Sequence, residues 1–234
     1  MTDVPKRQDF ETAYAGQAPW DIGRPQQAFL DVADRITGSV LDAGCGTGDN
    51  ALFFASRGHK VTGIDFLEEP IQRAKRKAAE RGLSATFFVM DALALQDLPE
   101  VFDSVIDSGL FHVFSDEDRR HYVEGLASVL RPGGTLFLLC FSDEEPGTQG
   151  PRRVSKQELH DAFGPPSEKC KSFRSGRTSN RDRSMDSITQ PSAKASCNSC
   201  LDTRLGPCVP GSSSLKHARN SRPPGLRTVA SAST

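Results

Sequence analysis

The feature that most constrains this chain is the glycine-rich segment VLDAGCGTG at residues 40–48. It follows an apolar run that predicts a buried strand, and it precedes a helical pattern from Asn50 to Arg57. Glycines allow the backbone to turn sharply and to approach a ligand, and the free N–H groups at a helix start favour an anionic group. The segment therefore predicts a cofactor-binding loop or a plain strand-to-helix turn, and its context favours the cofactor loop.

Strand and helix patterns alternate from Ser39 to Ser142, which indicates repeated βαβ units. Helices with capping-box spacing are expected to begin after Ser115 and Ser155. The short apolar runs predict five buried strands: SVLDA, KVTGID, ATFFVM, FDSVID and TLFLLCFS. We therefore expect an α/β fold built on a doubly wound, mostly parallel sheet.

Acidic residues mark the ends of the first three predicted strands. Asp42 closes the first strand, Asp65 the second and Asp91 the third. Asp65 lies 21 residues beyond Gly44, near the offset at which a carboxylate meets ribose hydroxyls. Asp91 can accept from an adenine amino group, while the Ala92 N–H is available to a ring nitrogen. Each aspartate alone could be a solvated strand-end residue, but three in register favour an adenosine site.

The charge of the loop distinguishes between adenosine cofactors. A dinucleotide fingerprint requires glycine where Asp49 stands, and an aspartate repels a pyrophosphate. Asp42 adds negative charge that suits an ammonium group. S-adenosyl-L-methionine (SAM) carries an ammonium, a carboxylate and a sulfonium but no phosphate, so SAM is the expected cofactor. A nicotinamide oxidoreductase is the disfavoured alternative.

The motifs VLDAGCGTG, VTGID, VMDA, FDSVIDSGLFHVF and LRPGGTLFLLCFSD resemble, in order and spacing, those of class I SAM-dependent methyltransferases. The resemblance covers residues 10–163 and implies a seven-stranded sheet with an antiparallel last strand. The candidate cofactor-binding residues are Trp20, Asp42, Gly44, Cys45, Gly46, Asp65, Phe66, Asp91, Ala92 and Ser108.

A second resemblance lies upstream, in the segment PWDIGRP at residues 19–25. It is similar to an element of the thiopurine, thiol and halide methyltransferases and of tellurite-resistance-type relatives. This resemblance implies that residues 1–35 form a lid over cofactor and substrate, with Trp20 against SAM. The alternative is that Trp20 anchors an N-terminal helix in the core.

The expected function is methyl transfer from SAM to a small thiol, halide, metalloid or phenol. This reaction is an in-line displacement, so alignment and exclusion of water are the main tasks. A thiol needs no base, whereas a phenol or hydroxyl acceptor needs a general base. His112, after the fourth strand, is the histidine placed to act as that base. A histidine at such a position more often serves structure or contacts solvent. A protein that binds SAM without turnover is the rival function.

Charge and composition divide the chain at Phe163. Residues 164–234 contain 12 Lys and Arg against 4 Asp and Glu, so the first 163 residues carry the negative charge. That charge disfavours a nucleic-acid partner. Because the chain has no apolar run of membrane-spanning length and no signal-peptide core at its start, we expect a cytoplasmic protein with a small-molecule partner.

The segment 164–234 differs from the methyltransferase domain expected at residues 1–163. It holds 15 serines and 7 prolines, and only 9 large apolar residues among 71 positions. We expect it to be disordered or the product of a frameshift, and the last strands of the fold to be missing. Its Cys197-x-x-Cys200, Cys208 and His217 match no zinc spacing, so no metal is expected.

Overall fold

The computed structural model describes residues 4–145, 150–164, 199–205 and 226–232. Seven strands form one sheet, in chain order β1 Val40–Ala43, β2 Val61–Asp65, β3 Thr86–Val89, β4 Phe102–Ser108, β5 Leu130–Cys140, β6 Ser199–Leu205 and β7 Leu226–Ala232. The helices are α1 Arg7–Ala15, α2 Gln27–Asp31, α3 Asp49–Ser56, α4 Glu68–Glu80, α5 Asp116–Val129 and α6 Lys156–Phe163. Short 3₁₀ turns lie at Ala33–Arg35, Ala92–Asp97 and Phe111–Val113.

The strands follow the order β3-β2-β1-β4-β5-β6-β7, and the first five are parallel. The central strand β1 pairs with β2 on one side, at Val40 with Val61, and with β4 on the other, at Val40 with Ser104. The winding direction therefore reverses between β1 and β4, which is where ligands bind in open α/β sheets. The expected doubly wound, mostly parallel fold is confirmed.

Local capping explains why two of the helices begin where they do. Ser115 Oγ accepts from the N–H of Asp118 at the start of α5, at 3.1 Å. At the start of α6, Ser155 Oγ accepts from the N–H of Glu158 at 3.2 Å, and the Glu158 carboxylate accepts from the N–H of Ser155 at 2.8 Å. No helix in the described ranges combines the length and apolarity that crossing a bilayer requires.

Buried apolar residues cover both faces of the sheet. One cluster joins the strands to α5 and α6, and the other joins them to α2, α3 and α4. β3 departs from the expectation of buried strands, since Phe88 and Val89 are 48% and 45% exposed. β3 lies at the edge of the sheet, so one of its sides has no neighbouring strand in the described part of the chain.

The expectation that the last strands are missing needs correction. β6 pairs antiparallel with β5 from Thr135 to Cys140, and β7 pairs antiparallel with β6. The physical reason is that an open edge on β5 presents unpaired backbone groups, which an added strand satisfies whatever its side-chain composition. The remainder of 164–234 lies outside the described residues, so disorder or a frameshift stays a prediction. The side chains of Cys197, Cys200, Cys208 and His217 also lie outside the described part of the chain.

Candidate cofactor and acceptor site

The glycine loop lies at the carboxyl end of β1, beside the reversal in strand order. Gly46 has φ +52°, and a Cβ at this position would lie 2.7 Å from the Tyr14 hydroxyl. Only glycine therefore fits where the N-terminal segment meets the loop. On the other side of the loop, a Cβ on Gly44 would lie 3.1 Å from the Leu110 side chain. The loop is thus held between the N-terminal segment and the turn that follows β4.

Asp65 connects the end of β2 to this loop. Its Oδ2 accepts from the N–H of Gly46 and its Oδ1 from the N–H of Leu67, both at 3.0 Å. Burial raises the pKa of Asp65, while these two amides and the charge of Arg7 lower it. Asp65 thereby fixes the loop and keeps further lone pairs for a ligand.

Asp42 is fully buried in β1, and neither carboxylate oxygen has a hydrogen-bond partner in the described part of the chain. Burial raises its pKa to about 8, and the charges of Asp107 and Asp65 add to the rise against the opposing effect of the Ala51 amide. A buried carboxyl group without a partner is costly unless a ligand or water satisfies it. The position therefore favours a cationic donor group.

Asp107, near the end of β4, is a further buried acid, and the sequence motifs do not single it out. Its carboxylate accepts from the N–H of Leu110 at 2.7 Å, from the N–H of Phe111 at 3.1 Å and from the Tyr122 hydroxyl at 3.0 Å. Burial raises its pKa to about 7, although these donors lower it. Asp107 both caps the turn after β4 and adds to the acidic character of the strand ends.

Asp91 and Ala92 lie at the end of β3. Asp91 is exposed, and its carboxylate accepts from the N–H of Leu93 at 2.9 Å, which starts the 3₁₀ turn. Ala92 is buried as the first residue of that turn. The N–H of Met90 bonds to the Asp65 carbonyl at 2.9 Å, so the β2 and β3 strand ends adjoin.

The N-terminal segment forms an aromatic group beside the glycine loop. The Trp20 indole Nε1 donates to the Tyr14 hydroxyl at 3.0 Å. Phe10 packs edge-on against both Trp20 and Phe66, with ring centroids 5.8 and 5.5 Å apart. Burial raises the pKa of Tyr14 well above its usual range, and the nearby Asp65 charge adds to the rise. Phe66 and Trp20 thus belong to one aromatic group at the loop.

Polar contacts also tie the N-terminal segment to the loop and to α4. Thr47 Oγ1 donates to Asp21 Oδ1 at 2.9 Å, and Arg73 donates to the Tyr14 carbonyl at 2.8 Å. Lys77 contacts both Thr47 and Asp49 at 2.8 Å. The Asp49 carboxylate is therefore neutralised by α4.

Two more candidates lie beyond β4. Ser108 is the last residue of the strand and is partly buried. His112 is buried in the following 3₁₀ turn, where its Nδ1 accepts from the N–H of Phe141 at 3.1 Å and its ring stacks on the Phe141 ring at 5.3 Å. Burial lowers the pKa of His112 to about 3, and the charges of Arg119 and Arg153 lower it further.

Those two arginines lie near His112, and the Arg119 guanidinium also pairs with the Glu158 carboxylate, 3.4 Å away. Arg119 of α5 donates to the Phe111 carbonyl at 3.1 Å, and its guanidinium lies 4.6 Å from the Phe111 ring centroid. Its Nη2 is buried without a hydrogen-bond partner in the described part of the chain. The Arg153 guanidinium lies 4.9 Å from the Phe141 ring centroid. Neither arginine is signalled by the sequence motifs.

The site therefore has an acidic part at the ends of β1, β2 and β4 and a basic part next to His112. The acidic part fits SAM, since a partnerless carboxyl group at Asp42 suits an ammonium and a glycine loop leaves room for a cofactor. Cys45 contributes a buried thiol whose pKa burial raises well above its usual range, which disfavours the reactive thiolate form. The described residues contain no group of three or more metal-ligating side chains that could hold a metal ion.

Residues 40–134 match the family model described as a methyltransferase domain. A relative from Mycobacteroides abscessus, a 2-heptyl-1-hydroxyquinolin-4(1H)-one methyltransferase, is 38% identical over 165 residues, which cover 65% of this chain and 73% of the relative. The chain belongs to the class I SAM-dependent methyltransferases.

Two further comparisons bear on this methyltransferase. A solved structure from a study of the conversion of a disulfide bond into a thioacetal group during echinomycin biosynthesis is 39% identical, with a TM-score of 0.61. The alignment covers 68% of this chain and 77% of that one. A probable thiol methyltransferase from Arabidopsis thaliana is 28% identical over 155 residues, covering 64% of this chain and 69% of the relative.

Proposed function

We propose that this methyltransferase methylates a small molecule whose reactive group is an anion: a thiolate, a halide, a metalloid oxyanion or a phenolate. The observation that carries the proposal is that two guanidiniums lie beside His112, next to the strand ends that form the acidic part. Arg119 packs on the ring of Phe111, the neighbour of His112 in the chain, and Arg153 packs on the Phe141 ring that stacks on His112. A cationic cofactor and an anionic acceptor are thereby stabilised on adjoining surfaces. Such a pairing suits displacement at a sulfonium methyl group.

The cofactor contacts follow from the same geometry. Asp42 would accept from the SAM ammonium, the Gly44 to Gly46 backbone would approach the methionine part, and Asp65 would accept from the ribose hydroxyls. We assign the adenine to Asp91 and Ala92. The remaining candidates, Cys45, Phe66, Ser108 and Trp20, would line the pocket.

The acceptor class is also supported by the relatives. The M. abscessus relative is named for a substrate with a hydroxyl group on an aromatic heterocycle, and the A. thaliana relative for thiols. The segment at residues 19–25 resembles an element of the thiol and halide branch, and it lies against the loop through the hydrogen bond from Thr47 to Asp21. On this proposal residues 1–35 act as a lid that excludes water during transfer.

The test is an acceptor screen with the full chain and methyl-labelled SAM. The probes are an aromatic thiol, iodide, tellurite, a 1-hydroxyquinolin-4(1H)-one and a neutral amine, with RNA as a macromolecular control. We expect labelled product from at least one anionic acceptor and none from the amine or RNA. Heat-inactivated protein gives the background.

The rival function is SAM binding without turnover. Calorimetric titration of SAM, run beside the screen, separates the two. Saturable SAM binding with no methylated product would support the rival, whereas binding of NADH in place of SAM would contradict the proposal altogether.

A further inference from the structure

We propose that His112 acts as a neutral hydrogen-bond donor that positions the acceptor anion through Nε2–H, and that no general base takes part in the transfer. The inference rests on the proposed transfer to an ionisable acceptor. This role differs from proton abstraction, which is the role that the position of His112 in the sequence suggests.

The hydrogen bond from the Phe141 N–H fixes the tautomer of His112. A ring nitrogen that accepts a backbone N–H carries no proton, so the proton of the neutral ring is on Nε2. The stacked Phe141 ring, only 10° from parallel, holds the imidazole plane. Both contacts come from Phe141. This residue directly follows β5, and β5 is paired in the sheet.

Nε2 lies at the end of β4. It is 3.3 Å from the position that a Cβ on Gly109 would take, and Gly109 directly follows Ser108. Among the described residues, none accepts the Nε2 proton. The donor is therefore placed at the same strand ends as the cofactor loop, with its hydrogen-bonding capacity unused.

The charges around His112 oppose a role as a base. Arg119 faces it from α5 and Arg153 from the segment before α6. Of the nearby carboxylates, Glu158 of α6 pairs with Arg119 at 3.4 Å, and Asp107 on β4 accepts from the N–H groups of Leu110 and Phe111. A general base becomes an imidazolium in the transition state, and here that cation would be buried beside two guanidiniums. The same guanidiniums favour an acceptor that arrives already ionised.

The transfer balances without a proton. The acceptor anion supplies the electron pair that forms the new bond to the methyl carbon. The bond from that carbon to sulfur breaks, and its electron pair remains on sulfur. A sulfonium and an anion thus become two uncharged groups, so nothing has to be deprotonated during the step.

The first test compares His112→Gln with His112→Ala, using an aromatic thiol as acceptor. Glutamine can accept from the Phe141 N–H and donate from its amide, but it cannot act as a base at neutral pH. We expect kcat/KM of His112→Gln to stay within about tenfold of the wild type, and that of His112→Ala to fall about 10²-fold. Equal losses of about 10²-fold or more in both variants would overturn the proposal. Arg120→Gln, an exposed change on α5, is the control.

The pH dependence gives a readout that a purely structural role would not change. If the acceptor binds as an anion, the rise of kcat/KM with pH follows the ionisation of the acceptor and shifts when a more acidic thiol is used. An inflection that keeps its position with both thiols, and disappears in His112→Gln, would assign it to the histidine and refute the donor role.

A second measurement is independent of turnover. Nitrogen-15 spectra report the protonation of each imidazole, and the His112 signals are those that disappear in His112→Gln. For His112 we expect the Nε2–H tautomer and no titration between pH 5 and 8, because its pKa of about 3 lies below this range. The exposed His121 is the internal reference. Titration near the ordinary value of about 6.5 would overturn the proposal. A wild type that methylates no acceptor would count against the proposed function, while these spectra would still decide the state of His112.

Discussion

Trp20 donates its indole N–H to the Tyr14 hydroxyl at 3.0 Å, and that hydroxyl lies 2.7 Å from where a Cβ on Gly46 would be. Trp20 is therefore linked to the glycine loop through Tyr14. Because Trp20 is 44% exposed, it contributes little apolar burial to the core. For Trp20, a role in covering the site can therefore be tested separately from a role in stabilising the fold.

The first prediction concerns Trp20→Ala. Methyl transfer should fall by about tenfold, because the variant loses the group that holds Tyr14 over the loop and water enters the site. The midpoint of thermal unfolding should fall by no more than about 4 °C. Tyr14→Phe, which removes the accepting hydroxyl and keeps the ring, should reproduce part of the loss in activity. A midpoint that collapses together with activity would make Trp20 a core residue.

A second prediction concerns Asp65→Ala. We expect SAM binding to weaken by about 2–4 kcal/mol, because a charged acceptor for two ribose hydroxyls is removed. Calorimetric titration measures this change. Asp103→Ala is a matched control. Asp103 also accepts a backbone N–H, from Ser39 at 2.8 Å, but it lies near the start of β4, whereas the site is at the carboxyl ends of the strands. An unchanged dissociation constant in Asp65→Ala would exclude Asp65 from the site.

The third prediction is the pH dependence of stability that Asp42 imposes. Its folded pKa of about 8 exceeds the ordinary value of 3.8, so between these values the folded chain holds a proton that the unfolded chain has lost. The free energy of unfolding should therefore decrease as pH rises from about 4 to about 8. Denaturant titrations of Asp42→Asn across this range should show a flatter profile than the wild type. Parallel profiles would mean that Asp42 does not titrate there.

Cofactor binding should be coupled to the same proton. An ammonium group beside Asp42 favours the ionised carboxylate, so SAM binding near pH 7 should release a proton. Calorimetry in two buffers of different ionisation enthalpy measures the number released. The Asp42→Asn variant should release less than the wild type, and identical release by both proteins would disprove the coupling.

The last prediction concerns residues 164–234, for which we propose a frameshift. The apolar helix pattern of α6 stops at Gly164, after which serine, proline and arginine dominate. Reading the coding DNA in the other two frames from codon 164 should restore strand-like apolar runs. If neither frame contains such apolar runs, the frameshift hypothesis is wrong. The segment is then native, and β6 pairs with β5 through its native sequence. Removing residues 165–234 should in either case expose the β5 edge and promote aggregation.

The sequence alone determined the order of the first five strands and of the helices between them, the glycine loop and the acidic strand ends, but it missed β6 and β7. Local periodicity and capping decide these features: apolar runs define the strands, and Ser115 and Ser155 cap helices as expected. Since parallel strands end at one edge of a sheet, the strand pattern by itself assigns Asp42 and Asp65 to a common site.

Only the tertiary structure decided how these groups are satisfied and charged. The N–H of Phe141 reaches His112 across 29 residues, and Tyr122 reaches Asp107 across 15. Partners so distant in the chain leave no local pattern, and each depends on how α5 and β5 pack against the turn after β4. Burial beside Arg119 and Arg153 then lowers the pKa of His112, so the one histidine that the sequence places for base catalysis is held neutral.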